Sequence, residues 1–184
     1  MNDDKKIILI IGASGSGKTT LGDELEKFGV LPLISFTTRK PRPSERYAVD
    51  YYFETPEEVE QSIWRDDVVE MSEYDGNTYG LYRHEIDDKI SRRHTYFVCD
   101  KNGARQIMDM YPDRAVALWL DVSVKTMIDR MTNRGDTGSS ILQRVYHASA
   151  NEELDQPEFA HARIDVNSGI STETIAHNIA ISLL

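Results

Sequence analysis

Among 184 residues there is one cysteine, Cys99, which excludes an internal disulfide and fits a reducing compartment. The five histidines (84, 94, 147, 161 and 177) show no metal-ligand spacing such as H-E-x-x-H, so no resident structural metal is expected. Positive charge is scarce: 21 Lys and Arg face 31 Asp and Glu, a net charge of −10. That balance argues against nucleic acid or an anionic membrane as the main partner. No apolar segment approaches the roughly 20 residues needed to cross a bilayer. The start, Met1-Asn2-Asp3-Asp4-Lys5-Lys6, carries acids and does not read as a secretory signal. A cytoplasmic location is expected. There is no internal repeat or low-complexity tract, and the scattered Ser, His and Asp residues form no triad pattern. Glu57-Glu58 and Asp87-Asp88 read as solvated helix ends.

What is present is more specific. The stretch Gly12-Ala13-Ser14-Gly15-Ser16-Gly17-Lys18-Thr19 reads G-x-x-x-x-G-K-[ST], a phosphate-binding loop. Before it runs Ile7-Ile8-Leu9-Ile10-Ile11, the composition of a strand buried on both faces. After it, Leu21, Leu25 and Phe28 recur at helical spacing. Glycines let backbone N–H groups approach phosphate oxygens, and the N-terminus of the following helix adds partial positive charge. Lys18 is expected to reach the β- and γ-phosphates, the Thr19 hydroxyl to bind Mg²⁺, and Thr20 to complete the loop. A nucleoside triphosphate with Mg²⁺ is the expected ligand.

The hydrophobic content of 40% in a chain of this length suits one domain with a small inserted lobe. Core strands are expected at 6–11, 31–36, 95–100 and 115–121, with a short one at 162–167. Helices are expected at 19–28, 102–111, 124–133, 139–154 and 171–183. This alternation predicts an α/β fold, a parallel core sheet covered by helices on both faces, with ligands outside the carboxyl ends of its strands. Residues 36–88 break it, holding three of the six prolines and six of the nine tyrosines. They read as an inserted, mostly antiparallel lobe with strands near 50–54, 68–73 and 77–82 and a short helix over 57–64. The core is then 1–35 and 89–184.

The inserted lobe carries a second candidate site. Arg39 and Arg42, in a turn fixed by Pro41 and Pro43, can grip one phosphate from two sides. Tyrosine hydroxyls can complete the grip, and a buried Glu70 could accept the ring N–H and amino group of guanine. Taken singly, the arginines read more readily as solvated turn residues and the tyrosines as strand packing.

Together, Ser35-Phe36-Thr37-Thr38-Arg39-Lys40-Pro41-Arg42, Val49-Asp50-Tyr51-Tyr52-Phe53, Glu70 with Gly76-Asn77-Thr78-Tyr79-Gly80, and the glycine loop resemble the guanylate kinase family over essentially the whole chain. The resemblance implies a three-layer α/β/α fold with an inserted nucleoside-monophosphate lobe, a helical lid at about 130–145, and transfer of the γ-phosphoryl group of ATP to GMP. It implies that Ser35 and Glu70 contact the base, and that Arg39, Arg42, Tyr51 and Tyr79 hold the acceptor phosphate. Asp100 would lie between the two nucleotides. Arg130, Arg134 and Arg144 match lid arginines that close over the phosphates, and Asn167 matches a position near the adenine. Read alone, Asp100 has the lesser alternative of a strand-end cap, and the arginines read equally as solvated. The protein is expected to be a monomer or homodimer.

Two positions depart from the family pattern. Leu81 stands where a Ser or Thr hydroxyl helps read the guanine carbonyl, and Val98 replaces the first Asp of D-x-D. Ser44, in place of a common Gly, is a minor change. Thr78 or Tyr82 could supply the hydroxyl that Leu81 lacks. Another purine nucleotide therefore stays open as acceptor beside GMP and dGMP. Domains like these also occur as inactive protein-interaction modules, which tend to lack the loop lysine; Lys18 is intact.

Overall fold

The computed structural model describes residues 5–74 and 76–183. The acidic start at Met1–Asp4 lies outside the described residues.

A parallel sheet has the strand order β2 (Leu31–Pro32), β7 (Thr95–Val98), β1 (Ile7–Ile11), β8 (Ala115–Asp121), β9 (Ala162–Asp165). The alternation of side chains along β1 splits its four isoleucines and one leucine between two cores. Ile7, Leu9 and Ile11 pack with Ile86 and Ile90 of α3 (Arg83–Arg92) and with Ala104 and Ile107 of α4 (Lys101–Met110). Ile8 and Ile10 pack on the other face with Leu21 and Leu25 of α1 (Lys18–Glu26) and Ala176 of α7 (Thr172–Leu183). A third cluster joins Met127 and Met131 of α5 (Val124–Asn133) to Ile141 and Ala148 of α6 (Gly138–Ala150) and to Ala13 of the glycine loop. The loop is thereby anchored to the two helices that cover it.

The inserted lobe is a second sheet in the order β4 (Tyr52–Phe53), β3 (Phe36–Thr37), β6 (Asn77–Tyr82), β5 (Val68–Tyr74), with α2 (Pro56–Trp64) between β4 and β5. The pairings of β6 with β3 and β5 are antiparallel as expected, while β3 and β4 run parallel. The α/β fold read from the sequence is the fold observed.

Three expected elements are corrected, and one helix was not expected. The single strand at 31–36 is two short strands in different sheets. Pro32, which has no N–H to donate, suits the edge position of β2, and between the sheets the Ile34 N–H turns to the buried Glu85 carboxylate at 2.8 Å. Helix α3 has no counterpart in the expected elements and spans the expected lobe boundary at 88/89. It is polar apart from Ile86 and Ile90, one turn apart, so its periodic signal is two residues long. The strand at 95–100 stops at Val98, and the helix at 139–154 ends at Ala150.

Glu85 anchors the lobe to the core, also accepting the Tyr52 hydroxyl at 2.9 Å and pairing with Lys89 at 2.6 Å. Phe36 holds the lobe together from within, clustering with Val59 and Tyr82. It is fully buried, stacks on Tyr82 with centroids 4.5 Å apart, and lies so close to Gly80 that a side chain there would run into the ring and the Glu70 carbonyl. Phe36→Ala is expected to destabilise the protein by about 3–5 kcal/mol. A denaturant-unfolding midpoint unchanged from the parent would contradict this.

Candidate active site

The glycine loop leaves the carboxyl end of β1 and enters α1 at Lys18. Gly17 caps the helix with φ +97°, a left-handed conformation that side chains rarely adopt. The free N–H groups of the first turn of α1 thus face the loop. Within it, the Lys18 ammonium donates to the carbonyls of Gly12 at 2.5 Å and Ala13 at 3.0 Å. Burial pushes its pKa down, against an opposing effect from Glu153. The Ser16 hydroxyl is buried without a hydrogen-bond partner among the described residues. Thr19 and Thr20 are exposed at the start of α1.

A cleft of about 710 Å³ opens beside this loop. Of the residues singled out in the sequence, Gly12, Ser14 and Lys18 line one end, with Arg144 of α6 reaching across to donate to the Ser14 hydroxyl at 2.9 Å. Ser35, Tyr51, Glu70 and Tyr79 line the lobe side, and Asp100 lies at the junction. Asp100 is also the N-cap of α4, accepting the Gly103 N–H at 2.8 Å. Glu70 is 6% exposed, and its carboxyl packs against Gly103 in the first turn of α4. Burial, with a smaller push from Asp100, raises its pKa to about 7.

The arginines divide. Arg39 lies over the Tyr51 ring, 5.5 Å from its centroid, and forms a two-pronged pair with Glu45 at 2.8 and 3.0 Å. Glu45 also accepts the Arg42 N–H at 2.8 Å and sits 4.0 Å from the Arg42 guanidinium. A carboxylate thus occupies the grip of two arginines, presenting the negative charge and paired acceptor oxygens that a phosphate would present. Neither arginine lines the cleft itself, and the Arg42 side chain is largely exposed.

Arg130 braces the loop from behind, donating to the carbonyls of Gly15, Ser16 and Val166 at 3.2, 2.8 and 3.0 Å. With Gly17 and Val166 it lines a small pocket of about 20 Å³ on the side of the loop away from the cleft. Arg134 is paired with Asp136 at 2.5 Å, outside the cleft. The Asn167 amide is spent on the Ser123 N–H, the Asp121 carbonyl and the Asp165 carboxylate.

Cleft residues that sequence reasoning missed are Ser72, Ser140, Gln143, His147, Lys101 and Glu153. On α6 the signal existed: Ser140, Gln143, Arg144 and His147 form one polar stripe at helical spacing. His147 pairs with Glu153 at 3.1 Å at the end of that stripe. Leu81 lies wholly in the core, opposite Glu70 on β6. Thr78 and Tyr82, the hydroxyls that could replace its missing one, do not line the cleft. Val98 does.

A fit to Mg²⁺ is seen in the Thr19 hydroxyl, a hard oxygen donor exposed beside Lys18. No group of three or more His, Cys, Asp or Glu suited to a metal occurs among the described residues. A magnesium ion here would be held mainly through nucleotide phosphates.

The family model described as guanylate kinase matches residues 4–177. A guanylate kinase of Thermosynechococcus vestitus is 33% identical over 96% of this chain and 93% of its own length. One of Streptomyces coelicolor is 28% identical over 95% of this chain and 88% of its own. Among solved structures, a guanylate kinase from Anaplasma phagocytophilum shares the fold, with a TM-score of 0.70 and 23% identity over 97% of this chain and 84% of that one. With the loop, the lobe and the family match in agreement, the chain belongs to the guanylate kinase family, a family of nucleoside monophosphate kinases.

Proposed function

We propose that this protein transfers the γ-phosphoryl group of ATP to GMP, and to dGMP, giving ADP and the nucleoside diphosphate. The observation that carries the reading is one continuous cleft with Lys18 and Arg144 at one end and Ser35, Glu70, Tyr51 and Tyr79 at the other. One acceptor oxygen attacks the γ-phosphorus in line as the bond to the β-bridging oxygen breaks, and no covalent enzyme intermediate is needed.

The glycine-loop N–H groups and the start of α1 cradle the donor phosphates. Lys18 and Arg144 neutralise charge on the transferring group, with Arg130 and Arg134 contributing as the lid (about 130–145) closes and excludes water. Thr19, with phosphate oxygens of the nucleotide, would hold magnesium, which would supply further charge neutralisation. Arg39, Arg42, Tyr51 and Tyr79 hold the acceptor phosphate, with Glu45 giving way to it. Ser35 and Glu70 hold the base, Asp100 lies between the nucleotides, and Asn167 borders the adenine.

Leu81 favours a second reading, in which another purine monophosphate is the better acceptor. ADP formation with ATP and Mg²⁺ against GMP, dGMP, IMP, AMP, CMP and UMP separates the two. Turnover of GMP and dGMP at least about 10²-fold above AMP is expected, since a site built for hydrogen-bonding groups rejects a base that lacks them. A preference for IMP or AMP would establish the second reading.

A further inference from the structure

We propose that His147 is a further contact to the phosphates at the point of transfer, with Glu153 as the positioning residue that fixes its ring. The inference rests on the proposed phosphoryl transfer and deepens it with a residue that none of the sequence motifs marks.

Helix α6 ends at Ala150, with Asn151 as its cap. Glu152 then adopts φ +54°, the left-handed region that glycine usually fills just past a helix end. Its N–H returns to the Ser149 carbonyl at 3.4 Å, and the Glu153 N–H returns to the Ala148 carbonyl at 2.8 Å. These two backward bonds fold the chain over the last turn of the helix. Leu154 packs against the cluster of Met127, Met131 and Ile141, and Lys101 donates to the Glu152 carbonyl, so the turn is held from both sides.

The turn brings Glu153 back onto His147, with Nδ1 and Oε1 3.1 Å apart. A carboxylate only accepts, so Nδ1 is the donor of this bond. Nε2 is left as the ring nitrogen available to a ligand, and the side chain, 60% exposed, is open to one.

His147 also stands in the right place. Arg144 ties one end of the stripe to Ser14 of the glycine loop at 2.9 Å, and the turn after α6 is tied to Lys101, the residue after Asp100. His147 lies between these ends, one turn beyond Arg144 and about 4.5 Å along the axis on the same cleft-lining face. That is between the donor phosphates and the proposed acceptor site. The charged groups lining the cleft around it are Glu153, Arg144, Lys18, Asp100 and Lys101. As an imidazolium, the ring donates from Nδ1 to Glu153 and from Nε2 to a phosphate oxygen, the second proton coming from solvent as the phosphate binds. The end of a helix is also where positive charge is favoured.

The test measures the single-turnover rate with saturating ATP, Mg²⁺ and GMP. His147→Ala is expected to lower it about 10- to 100-fold, the effect of losing one hydrogen bond to a charged group. The KM values for both nucleotides should stay within about threefold of wild type. His147→Gln, whose amide N–H can stand near the place of Nε2, should recover the rate to within about fivefold. Glu153→Ala should cost about three- to tenfold alone, but under about twofold in the His147→Ala background, because Glu153 acts through the ring.

A His147→Ala rate equal to that of wild type would overturn the proposal. So would a Glu153→Ala loss that is the same with and without His147. Nitrogen NMR of the His147 ring keeps this proposal apart from the functional reading. It uses inorganic triphosphate and Mg²⁺ without acceptor, at a concentration that saturates the shifts of the glycine-loop amides. The Nε2 signal should move to its protonated position in wild type, and the Nδ1–H form should be lost in Glu153→Ala. If the ring responds while wild type does not phosphorylate GMP, the functional reading fails and the phosphate contact stands. A ring unmoved by triphosphate overturns the contact whatever the acceptor.

Discussion

Lys18→Ala is expected to lower kcat by at least about 10³, or about 4 kcal/mol of transition-state stabilisation. The reasoning begins with placement: the ammonium sits inside the glycine loop, on the carbonyls of Gly12 and Ala13, at the mouth of α1. Burial already lowers its pKa, so the charge has been partly stripped of water and acts through a low-dielectric path. In the proposed reaction that charge counts most when negative charge spreads over the transferring oxygens. The Ala variant should therefore lose far more in kcat than in the KM for GMP. Single-turnover measurement with saturating ATP would isolate the step, and near-normal turnover would refute the proposed donor site.

Glu70→Gln is expected to raise the KM for GMP by about 10² or more and leave the KM for ATP within about twofold. The Gln amide turns one acceptor atom into a donor, which then faces an N–H of guanine, and burial leaves the mismatch without water to relieve it. A second signature comes from titration. Burial raises the Glu70 carboxyl to about 7, so the accepting form prevails above that pH and is lost as pH falls through it. Wild-type affinity for GMP should therefore weaken below about pH 7. The Gln variant should lack that limb. Equal effects on both nucleotides, or an unchanged acid limb, would remove Glu70 from the acceptor site.

The donor half of the site was legible in the sequence because it is local. Gly12 through Thr19 are contiguous, and their flanks, Ile7–Ile11 and the Leu21/Leu25 face, are strongly patterned. The core sheet was legible for the same reason. The acceptor half was legible only through resemblance, since Ser35, Tyr51, Glu70 and Tyr79 are brought together by strand pairing and not by spacing.

What escaped has identifiable causes. Helix α3 is marked by two isoleucines in ten residues and is held by the tertiary contacts of Ile86, Ile90 and Glu85. Ser72 has no motif, and its face of β5 depends on the register irregularity between Val68 and Glu70, which sequence alternation does not reveal. Arg130, Arg134 and Arg144 read alike in the chain. They differ because α5 and α6 turn them toward different partners: the loop carbonyls, Asp136 and Ser14.

The most direct test is phosphorus NMR of a mixture of this protein, ATP, Mg²⁺ and GMP. The proposed function predicts that the γ-phosphate signal of ATP and the monophosphate signal of GMP decline together as ADP and GDP appear in equal amounts. Release of inorganic phosphate without GDP, or an unchanged spectrum with active loop residues intact, would contradict it.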